Sequence, residues 1–293
     1  MNTKKWLNKY CKTLKNKRVV ITGATGGLGK EICFFLAELS ANLTLAVRNI
    51  NSAENLKTAI LSRFPETNID IVELDYSNLT SVKNCIKELK KYNGIDILIN
   101  NAAVYNVPVT KLDSGYNNIF QINFVYQYYF TKQLLPELEK QENSTCIVLG
   151  SIAHNYSKLN ENDIDFSSSK SNSKIYGNSK RFFMFATKKL FENSKTTLNI
   201  AHPGITLTKM TSHYPAAINW LVKIAIKLLF PKPTVAATAI IFAIFNQTKY
   251  NEWIGPKWFN IWGKPKISKL KTATDDEKEK IYLIAEKINK NIK

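Results

Sequence analysis

A short apolar run, Arg18 to Thr22, ends in Thr22-Gly23-Ala24-Thr25-Gly26-Gly27-Leu28-Gly29 and opens into a helical pattern from Gly27 to Leu39. Few features restrict a fold as strongly. Glycines permit a tight strand-to-helix turn and let backbone N–H groups approach a pyrophosphate at the positive end of the helix. Downstream, Leu43 to Val47, Ile69 to Leu74, Ile95 to Ile99, Thr145 to Leu149 and Leu198 to Ala201 read as further strands, with helical stretches between them. Short buried strands alternating with helices predict parallel βαβ units joined by right-handed crossovers. The expected fold class is therefore α/β: a Rossmann-like doubly wound parallel sheet with helices on both faces. Ligands of such sheets bind beyond the carboxyl ends of the strands, and chemistry is sought there.

Roughly twenty residues beyond the glycine turn, NAD-binding folds place an acid on the ribose 2′-hydroxyl. Here that position holds Arg48, followed by Asn49. A guanidinium cannot replace the acid but suits a 2′-phosphate, so the expected cofactor is NADP(H), with Lys30 adding charge nearby. Further along, Tyr176 and Lys180 share one face of a predicted helix. A lysine beside a tyrosine favours phenolate and makes the phenol a usable general acid or base. Ser151 adds a hydroxyl just past the strand ending at Leu149.

The chain of 293 residues reads as one domain from 17 to 293, preceded by a basic segment, 1 to 16, with Trp6, Leu7, Tyr10, Cys11 and Leu14 at helical spacing. Two apolar helical stretches, Ala216 to Phe230 and Thr234 to Phe245, flank Pro231-Lys232-Pro233. Each is too short to span a bilayer. Residues 209 to 233 are expected to form a small helical substrate lid, and Asp275 to Lys290 an amphipathic terminal helix. The scattered cysteines and three histidines have neither disulfide nor metal-ligand spacing, so no metal is expected. With no cleavable leader pattern, a cytoplasmic location is expected, with peripheral membrane contact. The net charge of +18 is spread along the chain, and no recognition helix, zinc or stacking motif accompanies it, which argues against a specific nucleic-acid partner.

With these residues in view the chain resembles the short-chain dehydrogenase/reductase family, non-extended type, over about Lys17 to Trp262. The turn matches the family's T-G-x-x-x-G-x-G through Thr22, Gly23, Gly27 and Gly29. Leu74-Asp75-Tyr76 resembles the acidic segment near the adenine, and Asn100-Asn101-Ala102-Ala103 resembles N-N-A-G with Ala103 in place of glycine. Asn123, Ser151, Tyr176 and Lys180 match the family's catalytic tetrad. His202-Pro203-Gly204-Ile205, with Thr208 after it, resembles the loop that cradles the nicotinamide. The long interval from Ser151 to Tyr176 and the Ile152-Ala153-His154 that follows the serine are similar to the retinol-dehydrogenase-like branch.

The resemblance implies an NADPH-dependent oxidoreductase that interconverts a carbonyl and an alcohol. Tyr176 would be proton donor, Lys180 would hold the nicotinamide ribose, Ser151 would bind the substrate oxygen, and Asn123 would anchor a water. It also implies cofactor contacts at Thr22, Gly23, Gly27, Leu28, Gly29, Arg48, Asn49, Asp75, Tyr76, Asn101, Ala102, Tyr176, Lys180, Pro203, Gly204, Ile205 and Thr208, and a homodimer with Phe120, Phe124, Tyr128, Phe182 and Phe183 as apolar contacts. The apolar face of 216 to 230 points to an apolar substrate, and the basic arm to an anionic bilayer. Two rivals are an extended-type epimerase or dehydratase of nucleotide sugars, which fits the alternative glycine spacing through Gly26, and a non-catalytic NADP-binding regulator. Arg48, the N-N-A-A segment and the short chain after His202 oppose the first; the intact tetrad opposes the second.

Overall fold

Val, Ile and Leu runs bounded by Gly and polar turns form the strands, and side-chain caps start several of the helices between them. The computed structural model describes residues 3–205, 231–270 and 273–292. Strands β1 (Arg18–Thr22), β2 (Asn42–Val47), β3 (Ile69–Glu73), β4 (Ile97–Asn100), β5 (Thr145–Leu149), β6 (Thr197–Ala201), β7 (Glu252–Trp258) and β8 (Trp262–Lys269) make one sheet in the order β3-β2-β1-β4-β5-β6-β7-β8. Every pairing is parallel except β7 with β8. The order reverses between β1 and β4, which opens a crevice at their carboxyl ends.

Helices α1 (Thr3–Tyr10), α2 (Gly27–Glu38), α3 (Ile50–Leu61) and α7 (Pro233–Ile244) bury their apolar residues on one face of the sheet. On the other lie α4 (Leu79–Leu89), α5 (Tyr126–Glu139), α6 (Asn172–Leu190) and α8 (Asp275–Lys290). Asn49, Asn78, Ser171 and Thr274 each cap a helix by accepting a backbone N–H three residues on. Helix α5 is entered through a short turn, Asn118–Phe120, and a π-helical stretch, Gln121–Val125.

The expected doubly wound sheet is present, with adjustments. The fourth strand starts two residues later than the apolar run beginning at Ile95, because Ile95 and Asp96 carry the turn into it. The β7–β8 hairpin has no counterpart among the expected strands, since Gly255, Pro256, Gly263 and Pro265 interrupt its alternation. Pro265 is tolerated because β8 is a sheet edge, and Pro256 because it lies beyond Ile254, where the pairing of β7 with β6 ends. Phe120, Phe124, Phe182 and Phe183 are fully buried and Tyr128 is 1% exposed, so these five rings are core and supply no subunit contact. The proposed lid helix 216 to 230 and Thr208 lie outside the described residues. No helix among the described residues is long and apolar enough to cross a membrane.

The N-terminal arm is helical, but its apolar side meets the domain and not lipid. Trp6 is 4% exposed and packs 6.4 Å from the Phe242 ring of α7, while Leu7 and Leu14 are buried in the same cluster. Trp6→Ala is accordingly expected to cost about 3 kcal/mol in denaturant unfolding, near the lower end for a buried aromatic because α1 is peripheral. An arm whose apolar side faces lipid would leave unfolding in detergent-free buffer unchanged.

Candidate functional site

The glycine turn is held by the carboxyl end of β4. Thr22 is fully buried, and its hydroxyl accepts the backbone N–H groups of Asn101 (3.1 Å) and Ala102 (3.0 Å). In return the Asn101 amide donates to the carbonyls of Thr22 (2.9 Å) and Gly23 (3.0 Å). Gly23 has φ +64, and a Cβ on it would lie 2.9 Å from the Ala102 backbone, so no side chain fits. A Cβ on Gly29 would collide with Gly23 O and sit 2.8 Å from Ala24 O. That glycine lets α2 start hard against the turn.

Beyond the turn runs a cleft of about 760 Å³, reaching from Gly27, Leu28 and Gly29 at one end to Ser151, Tyr176 and Lys180 at the other. A cavity of that size is of the order that ligand sites require. Arg48, Asn49, Asp75, Tyr76, Ala102, Ala103, Pro203, Gly204 and Ile205 also line it. Arg48 is exposed and has no ion pair or hydrogen bond among the described residues, which leaves its guanidinium available. Asn49 spends its side-chain oxygen capping Ser52 N at 2.8 Å. One Asp75 oxygen accepts from the Ser77 N–H and hydroxyl, leaving the other for a ligand.

Three expected contacts stand differently. Thr22 does not line the cleft; it supports the turn from behind. The Tyr76 ring is buried against Phe130, 5.7 Å away and edge-on, so its aromatic surface belongs to the core. Asn123 is also behind the wall. Its amide exchanges two 2.8 Å hydrogen bonds with the Val104 backbone and donates to Ser179 Oγ, so any water it anchors must be held by its main chain.

At the other end, Ser151 Oγ accepts from Ala153 N (3.2 Å), which frees its own proton to point into the cleft. Tyr176 is partly buried beneath Tyr105, whose ring lies 4.9 Å away and whose hydroxyl is 3.0 Å from Ser173 Oγ. Burial pushes the Tyr176 phenol up to about 12, against the lowering effect of its hydrogen bond with Ser151. Lys180 is 2% exposed, and burial brings its ammonium down to about 8. Its Nζ donates to Leu149 O at 3.0 Å and stands 5.9 Å from the centre of the Tyr176 ring. The lowering expected from Lys180 does not appear in this state: burial dominates, and the phenol is protonated at neutral pH. One hydrogen bond leaves a buried ammonium with donors to spare, which the hydroxyls of a ribose would satisfy.

Arg181, beside Lys180, is 1% exposed and makes a two-pronged ion pair with Glu277 of α8 at 2.7 and 2.6 Å. It also donates to the carbonyl of His154, whose Nδ1 donates to Ser151 O at 2.5 Å. Burial holds His154 and His202 down to about 4, so both are neutral across the physiological range. Sequence reasoning did not single out Ser52, Asn55, Tyr105 or Tyr156, all of which line the cleft. The first two follow Arg48 at helical spacing, a readable signal; the tyrosines lie in loops with no periodicity.

Residues 17–219 match the family model described as short chain dehydrogenase. Retinol dehydrogenase 13 of Mus musculus is 29% identical over 234 residues, covering 77% of this chain and 70% of that protein. The chloroplastic short-chain dehydrogenase TIC 32 B of Brassica napus is 30% identical over 252 residues, covering 80% and 78%. A solved structure from Mycobacterium paratuberculosis superposes with a TM-score of 0.74 at 23% identity, covering 95% of each chain.

The close packing of the turn gives a direct check. Gly29→Ala forces the Gly23 and Ala24 carbonyls to move, and dinucleotide affinity is expected to fall about tenfold or more in a fluorescence titration. An unchanged dissociation constant would mean that the turn does not shape the binding end of the cleft.

Proposed function

The chain belongs to the short-chain dehydrogenase/reductase family, in its retinol-dehydrogenase-like branch, and is an NAD(P)-dependent oxidoreductase; within that activity we propose that it interconverts a carbonyl and an alcohol on an apolar small molecule, using NADP(H). The observation that carries the reading is the grouping of a protonated Tyr176, a Ser151 hydroxyl and a half-satisfied buried Lys180 at one end of a cleft whose other end is a glycine turn.

When bound, the nicotinamide supplies or accepts the hydride. In the reducing direction Tyr176 Oη gives its proton to the substrate oxygen, while Ser151 donates a hydrogen bond that steadies the negative charge developing there. Lys180 would hold the nicotinamide ribose through the donors that Leu149 O leaves free and, as a nearby cation, would stabilise the phenolate that Tyr176 becomes. Asn123 acts by pinning Val104 and Ser179, which fixes the wall opposite Tyr176. The substrate end is walled by Val104, Tyr105, Ile152 and Tyr156. These surfaces favour an apolar ligand, in keeping with the alcohol named in the mouse relative. Arg48 at the far end matches the doubly charged 2′-phosphate through charge-assisted hydrogen bonds.

Tyr176→Phe removes only the hydroxyl, so turnover of a ketone panel is expected to fall by roughly two to four orders of magnitude with NADPH affinity nearly intact. In the wild type, reduction should stay level up to about pH 8 and decline above it, as Lys180 loses its proton while Tyr176 retains its own. Near wild-type turnover in Tyr176→Phe would remove the tyrosine from the proton-donor role.

Arg48→Asp is expected to raise the KM for NADPH about tenfold or more, the cost of losing hydrogen bonds to a charged group. The KM for NADH should change far less. Equal use of both nucleotides by the wild type would show that Arg48 does not select the phosphate.

A further inference from the structure

The β7–β8 hairpin ends in aromatic side chains that the cleft does not use. Trp258 is 56% exposed and Phe259 82%, and Trp262, opposite Trp258 across the ladder, is 39% exposed. Single exposed apolar residues are ordinary, but several together at one projecting tip mark a contact surface. The backbone supports that reading. Phe259 and Asn260 both have left-handed φ, 52 and 57, and Ile261 N closes the turn on Trp258 O at 2.9 Å. Asn or Gly satisfies such a position without strain, whereas a phenylalanine there is costly. Gly263, at φ +98, leaves room for the indole: a Cβ on it would sit 2.7 Å from Trp258 Cδ1.

The inner side of the tip is tied to the site. His202 Nε2 donates to Asn260 O at 2.7 Å, and a Cβ on Gly204 would meet Ile261 O at 2.9 Å. The tip therefore stands beside the Pro203–Gly204 loop that lines the cleft. Its surroundings are cationic. Between Trp253 and Thr274 the chain has five lysines and no aspartate or glutamate. Lys257, Lys264, Lys266 and Lys269 are exposed and form no ion pair among the described residues.

We propose that this hairpin docks the protein on an anionic lipid bilayer, with Trp258 and Phe259 in the interfacial layer and the lysines against the headgroups. Tryptophan and phenylalanine gain from that layer by burying ring surface, and each lysine gains from a negative surface potential. The cleft then opens toward the membrane, and an apolar substrate reaches Tyr176 without crossing water. This last step rests on the apolar-substrate reading above; the docking itself does not. Edge pairing with a second copy is opposed by the lysines and Pro265 of β8, which set like charges against each other and remove a donor.

The test compares the full chain with Trp258→Thr/Phe259→Asn, in which asparagine suits the left-handed turn and retains its backbone. Both are floated with phosphatidylcholine vesicles, with and without phosphatidylglycerol. The wild type is expected to float with the anionic vesicles, and the bound fraction of the double variant to drop about tenfold or more at an unchanged melting temperature. Lys264→Gln/Lys266→Gln should weaken binding to the anionic vesicles only. Failure of the wild type to float, or equal flotation of wild type and double variant, overturns the proposal. So does a dimer seen by light scattering that the double variant abolishes while vesicle binding is absent, which assigns the tip to a second copy. Turnover of a short water-soluble ketone reads the cleft separately: it should be equal in wild type and double variant, and its absence from both would count against the assigned chemistry and not against docking.

Discussion

The tie between the ends of β1 and β4 is the constraint on which the rest of this molecule depends. Where the strand order reverses, neighbouring strands send their chains to opposite faces of the sheet, and the crevice between them would otherwise be free to widen. Four hydrogen bonds between Thr22, Gly23, Asn101 and Ala102 close that gap from beneath. Thr22 is fully buried, so loss of the two bonds to its hydroxyl leaves a buried polar group unpaired. Because Asn101 grips the successive carbonyls of Thr22 and Gly23, the turn is held in the shape that lines the cleft. Thr22 and Asn101 thus bind by holding, and one contributes no surface to the cleft at all.

A second framework does for the reacting end what this tie does for the nucleotide end. Helix α6 is buried for most of its length and carries Tyr176, Gly177, Lys180 and Arg181 in succession. Gly177 allows the carbonyl of Ala153 to rest directly on the helix, and that brings the turn after Ser151 against Tyr176. Arg181 then reaches from the same helix to the His154 carbonyl, with Glu277 of α8 as its counter-charge. A buried arginine without its carboxylate would cost several kcal/mol, so the terminal helix is bound into the geometry of Ser151 although it lies far away in sequence.

What was legible in the sequence, and what was not, follows from how local each signal is. The six parallel strands of the Rossmann core were readable because their Val, Ile and Leu runs and Gly-rich boundaries are set by residues next to one another. The turn, Arg48, Ser151 and the Tyr176–Lys180 pair were readable because their spacing reflects one strand end or one helix face. The hairpin from 252 to 269 was not, since its stability comes from a partner strand and its prolines and glycines break the alternation. The five aromatics assigned to a subunit contact illustrate the same limit. Spacing shows which rings share a helix face, but only packing shows that both sides of α5 and α6 are covered. The N-terminal arm reads as a membrane helix for as long as Phe242 of α7 is out of sight.

The charge on this protein shows why position outweighs sum. A net +18 would by itself draw any polyanion, yet exposed charges are screened over about 8 Å at physiological ionic strength, so the total chooses among partners poorly. Burial and neighbours do the choosing. Lys180, withdrawn from water and held by a single carbonyl, has its ammonium brought down to about 8, within reach of a neighbour's needs. Arg48, left in solvent at the opposite end of the same cleft, keeps every donor for a ligand. The lysines near the tip of the β7–β8 hairpin, Lys257, Lys264 and Lys266, stand beside exposed rings, where charge and apolar area act on one surface. Three cationic sites on one chain therefore have different chemistry for the same formal charge, and the fold, by deciding which of them water can reach, sets the difference.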